Sequence, residues 1–247
     1  LKFLKRWVLA FVTPKPLIGI FYLPRYWRDW RSFRTAVATA SRPALGDMYP
    51  CLTDWTPSTP FDPHYFYQGA WLARLLRKEK PALHVDVGSS VSVLSVLSAY
   101  VPTVFIDYRP LHAFLPNLLC VGGSILGLPF PDDSVRSLSC LHVLEHIGLG
   151  RYGDPIDPAG SARGALELVR VLAPGGKLYF STPVGREHIS FNAHRVFAPE
   201  SVLRMFESLK NAGFSLVDDT GKFHQTARLE DGAKQEYGCG MYVFTKN

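Results

Sequence analysis

The sequence has few cysteines, four in 247 residues: Cys51, Cys120, Cys140 and Cys239. None forms a Cys-x-x-Cys pair or a metal-ligand spacing, which excludes a zinc ribbon and a disulfide-stapled scaffold. Buried thiols in a reducing compartment, the cytoplasm, are the expectation. Long apolar runs are also missing. In the N-terminal part, Leu17 to Leu23 has seven residues, against roughly 18 or more for a membrane-spanning helix. No small-x-small cleavage site follows within ten residues of it, which counts against a signal peptide. Repeats and low-complexity tracts are absent, leaving a non-repetitive globular chain, and 47% hydrophobic residues with 19% charged ones fit that class.

Acidic residues are scarce at one end only. Residues 1–34 hold eight basic side chains (Lys2, Lys5, Arg6, Lys15, Arg25, Arg28, Arg31, Arg34) and one acid, Asp29, so they carry +7 of a total of +6, and residues 35–247 carry −1. The same segment is rich in Trp7, Phe11, Phe21, Tyr22, Tyr26, Trp27, Trp30 and Phe33. Basic residues mixed with aromatic and aliphatic ones suit a segment lying on an anionic membrane surface. Packing on the body or on a second subunit is the plainer reading, and single-stranded nucleic acid a weaker third. Lys15 between Pro14 and Pro16 is expected to break a helix continuing from Trp7–Val12.

A Pro/Thr/Ser-rich connector, Pro50 to Pro60, separates residues 1–59 from a body at 60–247. A helix is predicted from His64 to Lys80, stopped by Pro81, with Phe66 and Trp71 in the core. Strands are predicted over Ala82–Val87, Thr103–Tyr108, Asn117–Gly122, Val135–His142, Lys177–Thr182, Phe214–Asp218 and Met241–Thr245. Helices are predicted over Val91–Tyr100, Ser161–Leu172 and Pro199–Ala212. This alternation implies an α/β fold, Rossmann-like and doubly wound. Its mostly parallel seven-stranded sheet closes in an antiparallel hairpin without an intervening helix.

The first chemical motif is His84-Val85-Asp86-Val87-Gly88-Ser89-Ser90, a strand that ends in glycine and turns into a helix. Such a turn brings backbone N–H groups close to a ligand, with Asp86, Gly88, Ser89 and Ser90 around it. Asp107 stands 19 residues beyond Gly88 at the end of the next strand, the spacing at which an acid accepts hydrogen bonds from a ribose diol. A structural turn plus a surface acid would have the same sequence. The glycine- and proline-rich stretch Gly148–Pro158 lacks the Lys-Ser/Thr of a phosphate-binding loop. A mobile acceptor-binding loop carrying Arg151, Tyr152 and Asp154 is expected there instead.

Further blocks follow in order: Gly123 to Ser134, then Leu144-Glu145-His146, then Leu168 to Leu178 with Ala173-Pro174-Gly175-Gly176 at its centre. Together with the glycine turn and Asp107, this order resembles the class I S-adenosylmethionine-dependent methyltransferases over roughly residues 80–185. Leu144–Pro155, Phe191–Phe197 and Pro60–Gln68 resemble one branch of that superfamily, associated with surface-polysaccharide biosynthesis. The resemblance implies S-adenosylmethionine as cofactor, with Tyr108 beside Asp107 and Ser124 and Ile125 beside the adenine. It also implies an O-methyltransferase acting on a saccharide or lipid-linked glycan at the inner membrane face. Ser89, Ser90 and Val91 stand where most members carry glycines, and Ser124 where many carry an acid. A catalytically degenerate scaffold or partner subunit is therefore one alternative, and a nicotinamide-dependent oxidoreductase another.

An alcohol acceptor requires removal of its proton, and His142, Glu145, His146 and His194 fall at or beyond the carboxyl ends of strands, where ligands of an open parallel sheet bind. A histidine base is one reading. A divalent metal held by the same four residues is a second, and helix capping by Glu145 and His146 a third. His64, Tyr65, Tyr67 and Gln68 open the helix that in this fold lies across the cleft, so they are expected at the acceptor, with Asn192 and Arg195 contacting its hydroxyl or phosphate groups.

Overall fold

The structure is a computed structural model that describes residues 14–109 and 111–247. The chain forms two compact units, one ending at Phe61 and the other spanning Asp62–Asn247.

The first unit is dominated by helix α1 (Pro14–Ala36). Pro14 and Pro16 stand in the first described turn of this helix. The proposed stretch Trp7–Val12 lies outside the described residues. Arg25 stacks over the Trp55 ring at 3.8 Å, and Arg34 lies over Trp30 at 4.7 Å while donating to the Pro43 carbonyl. Ile20, Phe21, Trp27 and Phe33 are exposed at positions spread around the helix, so apolar and basic side chains share its circumference instead of dividing it into two faces. Among the described residues, no helix is long and apolar enough to cross a membrane.

The second unit begins with α2 (Pro63–Glu79). The Asp62 carboxylate accepts the N–H groups of His64 and Tyr65, Pro63 occupies the first turn, and Lys80 ends the helix at φ 50° ahead of Pro81. Then follow β1 (His84–Val87), α3 (Val91–Leu97), β2 (Thr103–Asp107), β3 (Leu118–Gly122), β4 (Val135–Leu141), α4 (Gly160–Val171) and β5 (Leu172–Val184). A hairpin of β6 (His188–Ser190) and β7 (His194–Val196) precedes α5 (Pro199–Met205), β8 (Leu209–Val217), β9 (Phe223–His224), α6 (Leu229–Ala233) and β10 (Gly238–Lys246).

The main sheet runs β3-β2-β1-β4-β5-β10-β8-β9, parallel from β3 to β5 and antiparallel beyond. It is the expected mostly parallel α/β sheet, with one strand more than seven: β9 pairs Leu216 with His224 and Val217 with Phe223. Consecutive residues on the central strands enter opposite layers, as strand geometry requires. Ile106 and Phe180 pack with α4, whereas Phe105 and Tyr179 pack with α2 and α3.

Four local expectations fail. The helix predicted over Pro199–Ala212 stops at Met205, because Leu209 onward pairs with β10 up to Lys246 and the ladder outcompetes helical propensity. The connection between the closing strands contains β9 and the short α6, where none was expected. Trp71 is buried but Phe66, five residues earlier, is 59% exposed, and Cys51 is exposed while Cys140 and Cys239 are buried.

Candidate active site

Strand order reverses between β1 and β4, the switch point beyond whose carboxyl ends an open α/β sheet offers a crevice. Gly88, at φ +70°, turns the chain there, and its N–H donates to the Ile106 carbonyl. A Cβ on it would meet the Val143 methyls at 3.1 Å. The turn is fastened from beneath. Asp86 accepts the Ser89 N–H and the Ser139 hydroxyl. Ser139 in turn contacts His84 Nε2, whose ring reaches Ser137 through Nδ1. Burial pushes His84 down to about 3, so the ring is neutral and this chain carries no cation. Burial also lifts Asp86 to about 6, against the Ser139 and Ser89 hydrogen bonds that lower it. Asp86, expected at the cofactor, is a strut under the turn and does not line the crevice.

The crevice is a cavity of about 350 Å³, within the range that holds small-molecule cofactors. Its walls include Gly88, Ser89 and Ser90, then Asp107 and Tyr108 after β2, and Ser124 and Ile125 after β3. The Asp107 carboxylate accepts the Arg109 N–H at 2.7 Å, and the Ser124 hydroxyl accepts the Leu126 N–H at 3.1 Å. The opposite wall holds Tyr65, His142, His146 and Tyr152.

Behind that wall lies a group of buried charges. His142 has φ +56°, and its Nδ1 is 2.8 Å from Glu145 Oε1. That oxygen meets no donor in hydrogen-bond alignment, so the contact is one of charge. Burial alone would lower His142, but the Cys239 sulfur at 3.2 Å from Nε2 and the Glu145 carboxylate raise it. For Glu145, burial would raise the carboxyl, and His142 beside it lowers it below the ordinary range. His146 is lowered by burial; its Nδ1 lies 2.7 Å from the Ala193 carbonyl and its Nε2 3.8 Å from Glu145 Oε1.

The structure thus brings together His142, Glu145 and His146, and separates them from several expected partners. His194 does not line the cavity; its ring packs 4.8 Å from Tyr237, and burial lowers its pKa. His64 lies behind the cavity wall, stacked on Tyr237 at 5.3 Å and 5.4 Å from the His142 ring. Tyr67 stacks on Phe223, and Gln68 is buried, its Oε1 accepting the Ser181 hydroxyl, so neither faces the acceptor space. Arg195 is buried and donates to the Ile147 and Pro158 carbonyls, which makes it a tie for the following loop instead of a ligand contact. Arg151 donates to the Ala193 carbonyl, and Asn192 is exposed; neither lines the cavity. The loop expected to be mobile is held fast. Asp154 accepts the Gly148 and Tyr152 N–H groups, and Asp157 donates back to Gly148.

The expected metal set, His142 with Glu145, His146 and His194, does not converge. Among the described residues, the group able to hold an ion is His64, His142 and Cys239. Cys239 and Tyr237 escaped the sequence reading because they come from the opposite end of the body; Cys239 between Gly238 and Gly240 at a strand start was the available signal.

In shape the chain is similar to several solved structures, an N-methyltransferase among them. The N-methyltransferase NodS from Bradyrhizobium japonicum WM9 gives a TM-score of 0.53 at 15% identity, covering 75% of this chain and 98% of that one. Its complex with S-adenosyl-L-homocysteine gives 0.51 at 14% identity, over 90% and 98%. YcgJ from Bacillus subtilis gives 0.51 at 13% identity, over 74% and 99%. At such identities the likeness is one of fold. The chain has the Rossmann-like fold of the S-adenosylmethionine-dependent methyltransferases. A family described as "Caenorhabditis protein of unknown function, DUF268" matches residues 132–235. No curated protein matches.

Proposed function

We propose that the chain is an S-adenosylmethionine-dependent methyltransferase that methylates a hydroxyl of a saccharide or lipid-linked glycan. The observation carrying this reading is the cavity itself, with the backbone of the Gly88–Ser90 turn at one wall and a carboxylate, Asp107, at the next. The cofactor would supply a sulfonium-activated methyl group. On this chain, the backbone at Gly88, Ser89 and Ser90 would hold its amino-acid part, Asp107 its ribose diol, and Ser124 with the apolar Ile125 its base. The chain's main task is then positioning, which converts an encounter of two molecules into an internal reaction.

His146 has the chemistry of the base. A proton on Nδ1 donated to the Ala193 carbonyl leaves Nε2 to accept the hydroxyl proton, and the Glu145 carboxylate steadies the resulting imidazolium. His142, already charged against Glu145, is unfit for that role. The Tyr65 and Tyr152 rings in the same wall suit a sugar face. Residues 1–34, at +7 and with Ile20, Phe21 and Phe33 exposed, are proposed to meet an anionic membrane surface. Flotation with anionic liposomes, lost on deleting those residues, tests that contact.

Calorimetry with S-adenosylmethionine and S-adenosylhomocysteine tests the main reading. Micromolar binding is expected, with Asp107→Ala weakening it at least about tenfold, or about 1.4 kcal/mol. No binding at millimolar cofactor would leave a scaffold. A glycan gaining the mass of one methyl group, with turnover lost in His146→Ala, would establish the acceptor and the base.

A further inference from the structure

We propose that His64, His142 and Cys239 form a binding site for a borderline divalent transition metal ion, zinc first among them, with Glu145 as the partner that orients His142. The three side chains come from the first turn of α2, the residue after β4 and the second residue of β10, and their ligand atoms all lie within 4.8 Å of one another. His142 Nε2 and Cys239 Sγ are 3.2 Å apart. Tetrahedral zinc, with bonds of about 2.0 Å to nitrogen and 2.3 Å to sulfur, sets such a pair roughly 3.5 Å apart. Those two ligands therefore need little movement, and the partly buried His64 is the one that closes in.

The other nitrogen of His142 lies beside a carboxylate: Nδ1 is 2.8 Å from Glu145 Oε1, and a small turn of the ring makes this the carboxylate–histidine pairing that sets tautomer and orientation at metal sites. Tyr237 stacks on His64 and fixes its plane from the other side. Two imidazoles and a thiolate suit zinc, cobalt or copper, and do not suit magnesium or calcium, which take oxygen. Three protein ligands leave a fourth position for water or acceptor, as in catalytic zinc centres. His142 belongs both to this group and to the cavity wall.

The same contacts resemble a cysteine nucleophile with its histidine and carboxylate. Burial decides against it: Cys239 has no exposed surface, so no substrate carbon can reach the sulfur, whereas an ion needs only the gap between three ligand atoms. Binding of the ion stands apart from the proposed methyl transfer; only the role of its fourth position rests on that reading.

The full chain, stripped with a chelator and titrated with cobalt(II), tests the site. One equivalent should bind with a thiolate-to-cobalt charge-transfer band and the strong visible absorption of a tetrahedral ion, both displaced by zinc. Cys239→Ser should remove the band, Glu145→Gln should weaken zinc about 10–100-fold, and Cys120→Ser should change nothing. His64→Ala, in the first turn of α2 and only partly buried, gives a folded variant should Cys239→Ser fail to fold, and should lose at least tenfold in zinc affinity. Absence of the band, or its survival in Cys239→Ser, overturns the proposal. Parallel calorimetry with S-adenosylhomocysteine separates the two readings: cobalt binding without it keeps the metal and discards methyl transfer, and the reverse discards the metal alone.

Discussion

At the Gly88 end of the cavity the wall is backbone and short hydroxyl side chains, set by a turn between adjacent elements and fastened by hydrogen bonds through Asp86, Ser139 and a neutral His84. At the His146 end it is rings and buried charge, drawn from α2, the segment after β4 and the start of β10. The first end is suited to a constant ligand gripped by main-chain groups. The second places titratable atoms, and its integrity depends on every charge keeping its partner.

That contrast is broken most severely at Glu145. Glu145→Ala leaves the His142 charge buried and unpaired, with an expected loss of about 3–5 kcal/mol in urea unfolding. Adding His142→Ala should recover part of the loss, since the charge goes with it. A neutral Glu145→Ala would mean that the two ends do not differ in kind. A smaller effect concerns pH. His84 has a folded value of about 3 against 6.5 unfolded, so as pH falls the unfolded chain takes up the proton first. Its contribution is complete above 6.5 and is lost on acidification, by about 2 kcal/mol at pH 5. Asp86, raised to about 6, acts oppositely: its contribution is full below the ordinary carboxyl value and fades as pH rises through 6. His84→Asn should therefore flatten the acid limb of the melting-temperature profile, and an unchanged limb would refute the neutral-strut account. Smallest is Gly88→Ala, at about 1–2 kcal/mol for a side chain at positive φ. Here the readout is selective: S-adenosylhomocysteine affinity should fall at least tenfold while the Glu145-dependent stability persists.

Much of the cavity's first end was legible in the sequence. Gly88, Asp107 and Ser124 follow strands that alternate with helices, and in a parallel sheet strand ends share one edge, so residues far apart in number are neighbours by rule. The second end was legible only in part. His142, Glu145 and His146 lie within one turn and were read together. His194, Asn192 and Arg195 were expected to join them, but the β6–β7 hairpin directs Arg195 into the Ile147 and Pro158 carbonyls and His194 onto Tyr237. Gln68 and Tyr67 misled for a similar reason: α2 presents Tyr65 to the cavity and turns the next residues toward the sheet and Phe223. Helical spacing tells which residues share a face, not which way that face is rotated.

By itself the sequence determined the alternating α/β pattern, the glycine turn, the acid that follows it and the basic N-terminal segment, because each depends on local dihedral preference, hydrophobic period or charge count. Tertiary structure alone decided that Cys239 meets His142 and His64. An antiparallel strand inserted beside β5 brings its own beginning to the carboxyl edge of the parallel strands, and no local preference along the chain records that register.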